Sequence, residues 1–94
     1  MENKHILKLI DGKFIPSEAR EVLFDLISSK INYHQMEMFS NEERFGKDES
    51  NSESRIEQLK DVRRRLKEII DYTSKKGLSL KIESFIDITF IKEN

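Results

Sequence analysis

Between Ser17 and Phe39 the chain repeats its large apolar residues at helical spacing, and no other stretch limits the fold as much. At about 100° per residue, Val22, Leu23, Phe24, Leu26, Ile27, Ile31, Tyr33 and Met38 share an arc of roughly 200°. Glu18, Glu21, Asp25, Ser28, Ser29, Asn32 and Gln35 fill the other side. A helix with one neighbour needs an apolar stripe of only about 100°. The width of this arc predicts a helix held between two neighbours, with Leu26 and Ile27 both in the core.

The flanking segments read as short strands and a second helix. His5 to Ile15 reads as a hairpin: His5-Ile-Leu-Lys-Leu-Ile10 favours a strand, Asp11-Gly12 is a strong two-residue turn signal, and Lys13-Phe-Ile15 returns. Pro16 ends the return arm, and Ser17 caps the long helix with Glu18 and Glu21 near its positive end. After Phe39, Ser40…Glu43 has a capping-box pattern for one further turn, stopped by Gly46.

Residues 46–54 lack apolar side chains beyond the glycine and read as a polar connection within a single domain, 1–94. A second helix starts at Ser50 or Ser54, each followed three residues later by Glu, and ends at Lys76 before Gly77. Leu59, Val62, Leu66 and Ile69 form a three-four-three seam suited to near-antiparallel packing on the first helix. Leu80, Ile82, Ile86, Ile88 and Phe90 then alternate with polar residues in a closing strand, Leu78 to Ile91. The expected fold class is α+β: an N-terminal β-hairpin, a helical hairpin and a C-terminal strand. Its small antiparallel sheet is expected to carry the helices on one face.

Composition narrows the function classes. Ninety-four residues with 36% apolar content make one thin-cored domain, so burial through self-association is favoured. A net charge of −1 argues against a globally basic nucleic-acid binder. The absence of cysteine removes disulfides and thiolate metal sites. No apolar run is long enough to span a bilayer, and the N-terminus lacks a signal-peptide pattern. The expectation is a soluble, cytoplasmic protein without a membrane role.

Three features carry candidate chemistry. His34 sits in the apolar arc with Glu37 and Met38 one turn on, but a metal site needs three or four ligands. A structural histidine is the favoured reading, and neither cofactor nor metal is expected. The helix from Arg55 to Lys76 holds eight basic residues against four acids, and Arg55, Lys60, Arg64, Arg65 and Lys67 are candidate phosphate contacts. Successive arginines point about 100° apart, however, so they form no single stripe. Phe45, in Glu43-Arg-Phe-Gly46, is either an anchor for a partner or a lid over the helix ends. No nucleophile motif, phosphate loop or dinucleotide fingerprint occurs, and the expectation is no enzyme.

By elimination the chain reads as an interaction or regulatory module acting through protein contacts. A nucleic-acid accessory using residues 55–76 is the alternative, and a metal or catalytic role of His34 comes third. A homodimer is expected at the last strand, which extends about 40 Å against about 20 Å for His5 to Ile10. Phe85 and Ile91, facing away from the Leu80–Phe90 set, are its candidate interface residues, with Phe45 a further one.

Overall fold

The computed structural model describes residues 1–44 and 50–92, with side chains described outside 40–51. The element order is β1 (Lys4–Phe14), α1 (Pro16–Arg44), α2 (Ser50–Lys76) and β2 (Leu80–Thr89). The two strands pair antiparallel in a two-stranded sheet, so the chain is α+β with a helical hairpin between its strands. Phe45 and the polar connection up to residue 49 lie outside the described residues.

The N-terminal piece is one strand and not a hairpin. Asp11 and Gly12 run straight through β1, opposite Glu83 and Ile82. A two-residue hairpin turn of the Asp-Gly type needs positive φ at both central residues, and among the described residues Gly77 alone shows positive φ. The physical reason is partner length. A return arm from Lys13 to Ile15 offers three residues of ladder, whereas β2 pairs with β1 over the whole span from Lys4↔Thr89 to Phe14↔Leu80. The last strand therefore has a partner along its length, which removes the length argument for a strand left half unpaired.

Both helix ends at the junction with the strands have identifiable locks. Pro16 is the first helical residue of α1, where its missing N–H costs nothing. Glu18 Oε1 accepts the Ile15 backbone N–H at 3.2 Å, the reaching-back half of a capping box. At the end of α2, Gly77 has φ +68°. The Leu78 N–H donates to Thr73 O at 2.9 Å and the Gly77 N–H to Ser74 O at 3.4 Å, the two bonds of a Schellman cap.

α1 runs on to Arg44 where a break at Ser40 was expected, because no proline or glycine stops it before Gly46. α2 uses the earlier start, Ser50, so residues 50–54 are helix and not connection.

Ile27, Ile31, Ile56 and Leu59 form the buried cluster between the helices, with Met38 and Leu66 against it. Arg20 to Asp71 at 3.1 Å and Ser52 to Glu37 at 3.5 Å set the antiparallel register. The covered residues of α2 are Ser52, Ile56, Leu59, Arg63, Leu66, Ile70, Asp71 and Thr73, and all but Asp71 follow four-three alternation. Leu59 and Leu66 hold their expected places, but Arg63 and Ile70 replace Val62 and Ile69, which are 43% and 52% exposed. Arg63 takes a seam place because its aliphatic stem packs while its head reaches water.

The helices do not lie across the sheet as expected. Contacts between helices and strands are sparse beside those within each pair. The radius of gyration is 16.8 Å, against about 12 Å for a compact chain of this length. Accessible area is 7743 Å², about 2,000 Å² above the roughly 5,700 Å² usual at 11.2 kDa.

Candidate interaction surface

The surplus area has a definite chemistry on the helix pair. α1 has α2 on one side of its apolar arc, and among the described residues no element covers the rest. Leu26, expected in the core, is 44% exposed, and Tyr33 is 56% exposed. Val22, Leu26, Ser29, Tyr33 and Met36 follow one another at four-three spacing, a second stripe beside the seam. With Leu59 of α2, residues Leu26, Ile27, Ser29, Lys30 and Tyr33 line an open groove of about 440 Å³. Lys30 Nζ lies 4.7 Å from the centre of the Tyr33 ring.

The cross-helix ties place Val62 about level with Ser28, and Ile69 about level with Val22. In an antiparallel pair this spacing puts them on the groove's flank. The opposite flank, with Glu21, Ser28, Gln35, Lys60, Arg64 and Lys67, is polar and exposed.

The ribbon has the same two-sidedness, produced by a bulge. Strand register shifts between Lys8 and Ile10, leaving Leu9 as the extra residue. Strict alternation would send Leu7 and Ile10 to opposite sides. The bulge instead gathers His5, Leu7, Ile10, Gly12 and Phe14 on one side, across from Ile88, Ile86, Ser84, Ile82 and Leu80. Lys4, Ile6, Lys8, Asp11 and Lys13 take the other side with Lys81, Glu83, Phe85, Asp87 and Thr89. No residue of the ribbon is buried, and Leu7 on its apolar side is 54% exposed. His5 extends this side by stacking on Phe90, ring centres 5.4 Å apart.

The residues singled out from sequence are scattered. Phe85 is exposed on the polar side, with Lys8 Nζ 5.5 Å from its ring centre, and Ile91 lies beyond the end of β2. Arg55 donates to Gln58 at 2.9 Å, Lys60 lies 3.7 Å from Glu57, and Lys67 is 3.3 Å from Asp71. Arg64 is clamped between Asp61 and Glu68, which raises its pKa through the Asp61 hydrogen bond foremost. Asp71 is held below the usual carboxylate range, by the Lys67 hydrogen bond first and Arg20 after it. Lys60, Arg64 and Lys67 belong to the polar flank, whereas helical spacing turns Arg55 and Arg65 toward the other. The five candidate phosphate contacts are thus not brought onto one face.

His34 sits in the seam of α1. Among the described residues neither of its ring nitrogens has a hydrogen-bond partner, and Nδ1 lies 3.6 Å from Glu37 Oε2. Among the described residues no three His, Cys, Asp or Glu side chains come together as a metal-holding group. His5 is in the ribbon, and His34 in the helix pair has Tyr33 edge-on at 5.3 Å.

No family model, curated protein or solved structure matches this chain. Its surfaces therefore carry the functional argument. Among the described residues no helix is long and apolar enough to cross a membrane. Of these surfaces the sequence pattern marks only the β2 half of the ribbon's apolar side, Leu80 to Phe90. The second stripe through Leu26 and Tyr33 is the signal that could have marked the groove, and the parity change at Leu9 hid the β1 half of the ribbon's side.

Proposed function

We propose that this chain is a non-catalytic interaction module whose apolar helix flank and ribbon side bind protein, a second copy of itself first. A cytoplasmic setting belongs to the same proposal. The observation that carries it is the surplus of about 2,000 Å² of accessible area over a compact monomer. Contiguous exposed apolar patches beyond a few hundred Å² mark interaction surfaces in soluble proteins.

Against the nucleic-acid alternative stand the carboxylates that engage Arg64 and Lys67, and the spread of basic residues over both flanks. A groove lined by Leu26, Ile27, Tyr33 and Leu59 also offers phosphate no cluster of donors. Two measurements test the reading together. Light scattering at micromolar concentration should give a mass above 11.2 kDa. A duplex or single-stranded oligonucleotide should show no salt-dependent binding. A monomeric mass with oligonucleotide binding that weakens steeply with salt would reverse the order of the two readings.

A further inference from the structure

Two apolar surfaces leave the same junction, and each stays open where it moves away from it. Near the junction Ala19 and Ile70 are buried and Phe14 and Ile82 half-buried. Farther out, Leu26 and Tyr33 on the helices and Leu7 and Ile86 on the strands are exposed. The links are short: Ile15 alone joins β1 to α1, and residues 77–79 join α2 to β2. The halves therefore splay from a common hinge point. A sheet with one apolar side wants a layer of helices over it, and a helix pair with one apolar flank wants the converse. Each copy holds one of each, too far open to satisfy both.

We propose that two copies of this chain pair about a two-fold axis, so that the apolar ribbon side of each covers the apolar helix flank of the other. The proposal rests on the interaction reading above and names its partner and geometry. Two surfaces that differ within one copy each meet their complement once per copy, which is what a closed two-fold interface requires. If each copy hid half of its surplus, the pair would bury about 2,000 Å² in all, within the range of obligate homodimers. The side of the ribbon that is covered follows from charge. Its apolar side carries His5 as its one titratable group, whereas Lys4, Lys8, Asp11 and Lys13 stay in water on the other. Covering the apolar side thus strips little hydration from charged groups. The groove beside Ser29 gives the ribbon's branched side chains a recess to enter.

The chain contains no cysteine, so introduced thiols report on geometry without background. Leu26→Cys and Ile86→Cys copies would be mixed at micromolar concentration and oxidised with diamide. Circular dichroism and light scattering on the reduced samples confirm helix content and mass. The expected result is a mixed Leu26→Cys/Ile86→Cys disulfide several-fold more abundant than either self-linked species. Dominant self-linked Leu26→Cys, or a dimeric mass with no linked species, overturns the reciprocal geometry and leaves the interaction reading standing. A mass of 11.2 kDa for the parent chain overturns self-association altogether. As a second variant, Leu7→Lys places a charge on the ribbon's apolar side without touching the helix seam. It should shift the mass toward monomer with helix content unchanged, and an unshifted dimer counts against the proposal.

Discussion

The helix pair and the ribbon hang from the same two links, but they hold themselves together by different means. Between α1 and α2 a strict seam hides Ile27, Ile31, Ile56 and Leu59, and Ile70 is only 2% exposed. Between β1 and β2 a backbone ladder runs from Lys4↔Thr89 to Phe14↔Leu80, yet no ribbon residue is buried. Isolated two-stranded ribbons are marginal in water, since both long edges and both faces stay wet. The contrast locates the weak half of the molecule. The helix pair supplies its own core, while the ribbon has order in its register and depends on something outside the chain for its apolar cover.

Truncation inside the seam should give the largest effect. Ile27→Ala should cost about 2–5 kcal/mol in urea unfolding, as buried aliphatic truncations do. Leu26→Ala, one residue along and on the open flank, should cost under about 1 kcal/mol at concentrations where the chain is monomeric. Equal losses at the two positions would mean that the flank is covered within the single chain.

The two glycines sharpen the comparison at intermediate size. Gly77 closes the helix pair in a left-handed conformation, so Gly77→Ala should cost about 1–2 kcal/mol. Gly12 lies in the ribbon with ordinary backbone angles, and a Cβ there would meet the Phe14 ring at an unstrained 3.6 Å. Gly12→Ala should be neutral or stabilising by up to about 1 kcal/mol in thermal unfolding. A loss at Gly12 matching that at Gly77 would restore a turn to β1.

The smallest effect belongs to Asp71, which ties α2 to Arg20 at the exposed rim of the helix pair. Its folded pKa lies below its ordinary value of 3.8, so its contribution is present above that pH and disappears as pH falls through the depressed value. The stability gap between the parent and Asp71→Asn should therefore be open at neutral pH and close in acid. A gap that widens in acid would show that Asp71 plays no part in holding the helices together.

What the sequence disclosed and what it concealed divide along the same line. Helix signals are local, so Pro16 and Gly77 marked the junction, although α1 starts at Pro16 with Ile15 in the capping place expected of Ser17. Ser50 was one of two candidate starts for α2. The wide arc of α1 also announced a second neighbour, and the open flank through Leu26 and Tyr33 is where that neighbour is missing. Strand pairing is non-local. Asp11-Gly12 resembles a turn until β2, seventy residues away, offers a longer partner than the return arm. Apolar spacing alone points to Val62 and Ile69 as seam residues, because it gives no sign that Arg63 takes a place in the seam. The basic residues of α2 were visible as a composition, but their ion pairs depend on which helix face each one occupies.

The bulge at Leu9 gives β1 a reading frame. Upstream of it odd-numbered residues carry the apolar pattern, and downstream even-numbered ones do. Loss of Leu9 alone would heal the bulge into a regular ladder and leave the oily and the charged side as they are. A length change elsewhere in β1 exchanges the two sides for part of the strand unless a second bulge or a matched change in β2 absorbs it. Descendants of this chain can vary the chemistry of the strand more freely than its residue count.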